Sequence, residues 1–189
     1  FAGHVSFDVG VWRAINAGYA TIDHLDGFIE SMVPGIENMK EQETGLFGLF
    51  IADKADESVI PKLIDSLRMH HIWVVPTQAL AERWFHPTRD ADALGSEPEM
   101  KYMDAATVNN WVTTKKTLLN NPNYKASTAT RLIELRRKLI YACNKNGVGL
   151  LLGSDAPQVF DVPGFSVHHE LRYLVDAGLT PYEALKTGT

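Results

Sequence analysis

Three residues of this 189-residue chain combine a reactive side chain with a placement that can do chemistry: His4, His24 and Asp155. The two histidines lie 20 positions apart, and each follows a stretch of small, aromatic or β-branched residues that reads as a strand. One strand-helix unit has that length, so both imidazoles are expected at adjacent strand ends of one sheet. Neighbouring parallel strands run about 4.8 Å apart, and side chains aimed inward from such ends can share a cation held about 2.0–2.2 Å from each ligand. Asp155 adds a carboxylate at the end of a later apolar run, 148–152. Two neutral imidazoles and one carboxylate suit zinc or a similar divalent ion, because such ligands are borderline in softness and offset part of its charge. Taken singly, each residue has a commoner explanation. A histidine after a strand is usually a hydrogen-bonded core or rim residue, and Gly153-Ser154-Asp155 is usually a turn or cap that satisfies backbone N–H groups. The metal reading rests on the joint pattern.

The other reactive side chains are weaker candidates. His70 and His71 fall at an expected helix end, where a cation suits the dipole, and His168 and His169 fall near a helix start. His168 could approach the site from the loop after the last strand. Cys143 sits among Leu139 and Ile140 on an expected helix, where a small buried thiol is ordinary. Ser154 lacks the Gly-x-Ser-x-Gly elbow, and neither a phosphate loop nor a dinucleotide fingerprint occurs. Asp23 and Asp26 adjoin His24 in sequence and are candidates for orienting an imidazole.

The elements that must position these groups follow from periodicity. A helix is expected over 10–17, a strand over 19–24, a helix over 58–70 with Pro61 in its first turn, and a strand over 72–75 ended by Pro76. A long helix over 127–146, an apolar strand over 148–152 and a helix over 167–177 complete four units. Apolar strands each followed by an amphipathic helix imply an α/β class with a parallel sheet, whose chemistry gathers at the carboxyl ends of the strands. Four units fit half of an eightfold barrel. Two connections, at about 26–56 and 78–126, far exceed the usual length of about 2–6 residues. Both start at the carboxyl end of a strand and are expected to lie over the site as helical insertions. Their apolar residues, among them Phe28, Met32, Phe47, Trp84 and Trp111, suit satellite cores or a lid over an apolar pocket. Thr180-Pro181-Tyr182-Glu183 reads as a reciprocal helix start. With Phe1 opening in mid-strand and so little chain after Glu183, the sequence reads as one domain, 1–189, cut from a longer chain.

Composition narrows the function. With 18 Lys and Arg against 23 Asp and Glu, the net charge is −5, which argues against a nucleic-acid partner. No apolar run reaches the ~18 residues of a membrane span. One cysteine in the whole chain excludes both an internal cystine framework and a Cys-rich zinc module.

Several segments together, Gly3-His4-Val5, the run 14–25 (AINAGYATIDHL), Gly153-Ser154-Asp155-Ala156-Pro157 and the run 170–185 (ELRYLVDAGLTPYEAL), resemble the metal-dependent amidohydrolase superfamily, particularly its imidazolonepropionase-like and prolidase-like members. The resemblance implies a (β/α)8 TIM barrel of which this chain carries strands 5 to 8, with insertions after strands 6 and 7. By position His4 resembles the fifth-strand metal ligand, His24 the sixth-strand ligand, and Asp155 the eighth-strand residue that binds metal and acts as base. The implied activity is hydrolysis of a C–N amide, cyclic amide or peptide bond by metal-activated water with Asp155 as general base, and the implied cofactor is one or two divalent ions such as Zn. The implied partners are a small amide or peptide-like substrate and the remainder of the same barrel chain, and a homo-oligomer stays open. The family's first-strand His-x-His and fourth-strand Lys or acid have no counterpart in this sequence, so the segment alone is expected to bind metal weakly and to be inactive. Ester or phosphotriester hydrolysis on the same site, and a degenerate barrel that only binds a ligand or serves structure, remain the alternatives.

Overall fold

Three short parallel strands carry the candidate site, and the helices that follow them bury one face of that sheet. In the computed structural model, which describes residues 1–189, the chain begins with β1 (Ala2–Gly3), α1 (Gly10–Asn16) and β2 (Thr21–Asp23). An excursion of tight 3-10 turns then holds the short α2 (Glu41–Thr44) before α3 (Ile60–Met69) and β3 (Trp73–Val75). A second excursion contains α4 (Gln78–Trp84), α5 (Ala91–Gly95) and α6 (Ala105–Leu119). After it come α7 (Ala126–Lys145), α8 (Ser166–Asp176) and α9 (Pro181–Lys186). The strand order is β1-β2-β3, with Ala2 opposite Thr21 and Ile22 opposite Val74.

The expected elements appear with boundaries shifted by a residue or two, for local reasons. In α3 the buried stripe is Leu63, Ile64 and Leu67, and the start over Glu57–Val59 tightens to a 3-10 turn because Asp56 accepts a hydrogen bond from the Ser58 N–H at 2.9 Å. The helix α7 buries Leu132, Leu135, Leu139 and Cys143 on one face. At α9 the reciprocal cap forms, the Thr180 N–H donating to Glu183 Oε2 at 2.7 Å and the Glu183 N–H to Thr180 Oγ1 at 3.2 Å.

The apolar run 148–152 does not lengthen into a full strand. It meets β3 at a single bridge, Val74 to Leu150, in which the Val74 N–H donates to the Gly149 carbonyl and the Leu151 N–H to the Val74 carbonyl, both at 2.9 Å. Pro76 follows β3 directly and offers no N–H to extend the ladder. Close approach is nonetheless required here: a Cβ at Gly149 would sit 2.3 Å from the Trp73 ring, and one at Gly153 would sit 2.6 Å from Val75.

The two excursions differ in what they bury. The first sends Phe28, Ile29 and Met32 into the main core, whereas Leu46 stays exposed. The second builds a separate cluster in which Leu80, Leu94, Met100 and Trp111 pack on Val159, Phe160 and Val162. Satellite packing therefore accounts for much of the second excursion's apolar content, although Tyr102 lies outside it and is exposed. The short α4 is pinned at both ends by buried charges matched to its dipole. Glu170 accepts from the Gln78 and Ala79 N–H groups at 2.9 and 2.6 Å, and the Lys115 ammonium donates to the carbonyls of Arg83, Trp84 and His86 at 2.8, 2.8 and 3.1 Å. No helix of the chain is long and apolar enough to cross a membrane.

Candidate functional site

His4 follows β1 and His24 follows β2, and because these strands pair in parallel their carboxyl ends lie side by side. The two imidazole rings stack with centroids 4.4 Å apart and planes inclined by 28°. Each ring is fixed through Nδ1. Asp26 Oδ2 lies 2.8 Å from His4 Nδ1 and also accepts the Val5 N–H at 3.0 Å, so the carboxylate receives the His4 Nδ1 proton. His24 Nδ1 lies 2.8 Å from Thr77 Oγ1, and that hydroxyl donates to the Pro76 carbonyl at 2.8 Å, which leaves it to accept the His24 Nδ1 proton. Both hydrogen-bond networks therefore assign the Nδ1–H tautomer and leave the Nε2 lone pairs uncommitted. His24 is buried, and desolvation, aided by the neighbouring His4, lowers its pKa to about 4. A neutral imidazole with a free Nε2 and an orienting partner on Nδ1 is the form in which histidine binds a metal.

The backbone around these side chains is unusual. His24, Thr77 and Asp155, each just beyond a strand or strand-like run, all have positive φ, at 59°, 47° and 58°. For non-glycine residues that region costs of order 1–3 kcal/mol each and persists only where the surroundings enforce it. Part of the enforcement is Arg136. This fully buried residue of α7 donates to the His24 carbonyl at 2.7 Å, to the Pro76 carbonyl at 2.6 Å and to Gln78 Oε1 at 2.9 Å, tying the ends of β2 and β3 together. Its guanidinium also lies 5.6 Å from the centre of the Phe47 ring, which stacks on His24 at 5.6 Å. Sequence reasoning missed Arg136, although its register with buried Leu132 and Leu139 put a charge on an apolar stripe.

Partial desolvation raises the Asp155 carboxyl above the ordinary range, and Asp155 lies close enough to His4 for a protonated imidazole there to pull it back down. The ligand atoms of His4, His24 and Asp155 do not all come within 4.8 Å of one another; the trio that does is Glu97, Glu99 and His169. Of the two aspartates considered as orienting groups, Asp26 takes that part for His4, and for His24 it is taken by Thr77 instead. His70 turns back on its own helix, with Nδ1 2.9 Å from the Ser66 carbonyl, and Ser154 pairs with Ser166 at 2.8 Å. Cys143 is fully buried, and burial pushes its thiol up to about 12, as expected for an inert core cysteine.

The trio of Glu97, Glu99 and His169 surrounds a cation the chain already owns. Buried Arg83 reaches Glu97 Oε2 at 2.5 Å and Glu99 Oε1 at 3.5 Å, and His169 Nε2 lies 2.8 Å from Glu99 Oε1. Burial works to raise the Glu99 carboxyl, but the bond to His169 and the Arg83 charge hold it below its usual range. Behind them lies Asp161, wholly buried, with no hydrogen-bond partner on either oxygen and Arg83 Nε 3.9 Å away, so desolvation raises its pKa well above normal.

A cavity of about 1020 Å³ opens beside His4 and Asp26, between α1 and the first excursion, with Glu30 and Phe47 in its wall.

No protein-family model and no curated protein matches the sequence. Among solved structures the chain is similar to AH, bottromycin amidohydrolase, with a TM-score of 0.59 and 24% identity over 100% of this chain and 38% of that one. The likeness is one of fold, and the chain spans well under half the length of that relative.

Proposed function

We propose that this chain forms the carboxyl-terminal part of the barrel of a metal-dependent hydrolase that cleaves C–N amide bonds, with His4 and His24 as metal ligands and Asp155 as ligand and general base. One observation carries the reading: two imidazoles from adjacent parallel strand ends stand face to face at 4.4 Å, each held through Nδ1 and each with Nε2 free. The fold likeness to an amidohydrolase supports the same class. A divalent ion, zinc by ligand type, supplies charge that lowers the pKa of water from about 15.7 to about 7 and polarises a scissile carbonyl.

The chain's own groups do the remainder. Asp26 and Thr77 hold the imidazoles in one tautomer, and Arg136 holds the strand ends that carry His24 and Thr77. Asp155 takes the proton from the attacking water and passes it to the leaving nitrogen.

The test is metal analysis of the complete protein and of its His4→Ala and His24→Ala variants, with hydrolysis of an N-acyl amino acid, dipeptide and cyclic amide panel. The reading expects a stoichiometric divalent ion that either variant weakens, and loss of amide hydrolysis in step with it. Unchanged metal content in both variants would remove the two histidines from the site and the proposal with them.

A further inference from the structure

Asp155 is exposed, so where its carboxyl stands is decided by the loop it opens, 155–165. That loop is closed at its base, where Ser154 Oγ lies 2.8 Å from Oγ of the fully buried Ser166. Along its length it is held chiefly by the second excursion. Val159, Phe160 and Val162 bury their side chains in a cluster whose other buried members, from Leu80 to Trp111, all belong to that excursion. The Trp111 ring meets the Phe160 ring edge-on with centroids 6.2 Å apart, and Arg83 Nε donates to the Phe160 carbonyl at 3.2 Å. Outside the core, Tyr102 of the same excursion stacks on Phe165 at 5.2 Å.

The shape of this loop is imposed on it. Phe160 has a φ of 64°, a left-handed backbone that is unfavourable for a bulky residue, and its neighbour Asp161 is wholly buried with neither carboxyl oxygen hydrogen-bonded. Such costs persist only where the surroundings over-determine the conformation. Here the surroundings are the excursion's core and the buried Arg83, whose guanidinium is itself fixed by Glu97 at 2.5 Å. We propose that Phe160 and Arg83 are positioning residues for Asp155, through which the second excursion sets where the proton acceptor stands. For what Asp155 does, the inference rests on the hydrolase reading; the anchorage of its loop does not. Misplacing a reacting group by about 1 Å can cost about 10²-fold in rate, so the excursion acts on turnover rather than on substrate binding.

Two measurements on the complete protein test this. In Phe160→Gly, which removes the anchor, kcat for amide hydrolysis is expected to fall about 10²-fold with KM within about twofold, and Phe160→Leu, which refills the core, to recover most of it. Arg83→Lys keeps the buried charge without the Nε donor and is expected to lower kcat about tenfold. In an Asp155→Asn background the same substitutions should cost nothing further, because the acceptor they misplace is already gone. Equal fold-losses in both backgrounds, or a loss carried by KM, would mean a general structural role and overturn the proposal. Amide hydrogen exchange over 153–158 reads the anchorage without catalysis, and is expected to quicken in Phe160→Gly and Arg83→Lys while exchange over 2–5 and 21–25 stays as in the wild type. Should those variants fail to fold, Tyr102→Ala, at an exposed contact, carries both measurements with smaller effects in the same direction. Faster exchange at 153–158 in a protein that hydrolyses no amide would sustain the anchorage and sink the hydrolase. Unchanged exchange with amide hydrolysis intact would overturn the anchorage and leave the hydrolase standing.

Discussion

Two histidine-carboxylate clusters in this chain look alike on paper and differ in one respect, whether a cation is already present. Around Arg83 the ligand atoms of Glu97, Glu99 and His169 are gathered within 4.8 Å, yet a buried guanidinium sits among them and satisfies the carboxylates. At the strand ends His4 and His24 are less compactly arranged with Asp155, but no side-chain cation is lodged between them and their Nε2 atoms are free. Proximity of ligand atoms is thus a poor guide to metal binding, because a salt-bridged cluster is drawn together by its own counter-ion. The informative feature is which donors remain unspent after the internal hydrogen bonds are assigned.

The sharpest way to break this comparison is Asp155→Asn in the complete protein. Loss of the proton acceptor should lower turnover by about 10²- to 10⁴-fold with the circular dichroism unchanged, and near-normal turnover would remove Asp155 from the chemistry. Next, Arg83→Met should destabilise the fold by about 3–5 kcal/mol in denaturant titration, since it strands buried carboxylates without their partner. A variant of wild-type stability would mean the guanidinium is not what holds that cluster, and the contrast drawn above would fail. Asp26→Asn keeps an acceptor for His4 but removes its charge. It should weaken divalent-ion affinity about 10- to 100-fold in a chelator competition, while Glu99→Gln should leave that affinity unchanged.

A smaller effect concerns protons. Glu30 is pushed from 4.5 to about 7 by burial, so the folded chain keeps its proton where the unfolded chain has lost it. The stability this contributes is full below pH 4.5 and is lost as pH rises through about 7, a change on the order of 3 kcal/mol. His24, lowered to about 4, acts oppositely, costing stability as pH falls from 6.5. Comparing wild type with Glu30→Gln across pH 4–8 cancels the histidine's part. The wild-type advantage should be greatest at the acid end and vanish near neutrality; a difference independent of pH would contradict the burial of Glu30. Smallest of all, native Cys143 should resist thiol reagents at pH 8 and react only on unfolding, because its thiol is buried and raised to about 12.

Much of the scaffold was legible in the sequence because short-range periodicity encodes burial. Val11, Ala14 and Ile15 predict α1, and Leu63, Ile64 and Leu67 predict α3, with the same spacing the folded chain buries. The run 148–152 was read as a strand from its apolar character, and only the short β3 and Pro76 reduce it to a bridge. The supporting charges were harder to see. Lys115, Arg136 and Glu170 stand four residues from buried Trp111, Leu132 and Ser166 or Leu174, a register that marks them as inward-facing, but nothing local tells which backbone groups they will satisfy. His169 rather than His168 meets a carboxylate, and that carboxylate belongs to an excursion with no recognisable pattern.

The sequence by itself determined the alternation of strands and helices and, through the single-unit spacing of His4 and His24, that two imidazoles would follow the carboxyl ends of adjacent strands. Only the tertiary structure decided which of their nitrogens are free, since the group that claims His24 Nδ1 is Thr77, 53 residues away. It likewise decided that Arg83 would occupy the acidic cluster, reaching Glu97 14 residues on and approaching His169 86 residues on. Burial follows from neighbours along the chain, whereas the pairing of buried charges and polar atoms is settled by segments that meet only when the chain has folded.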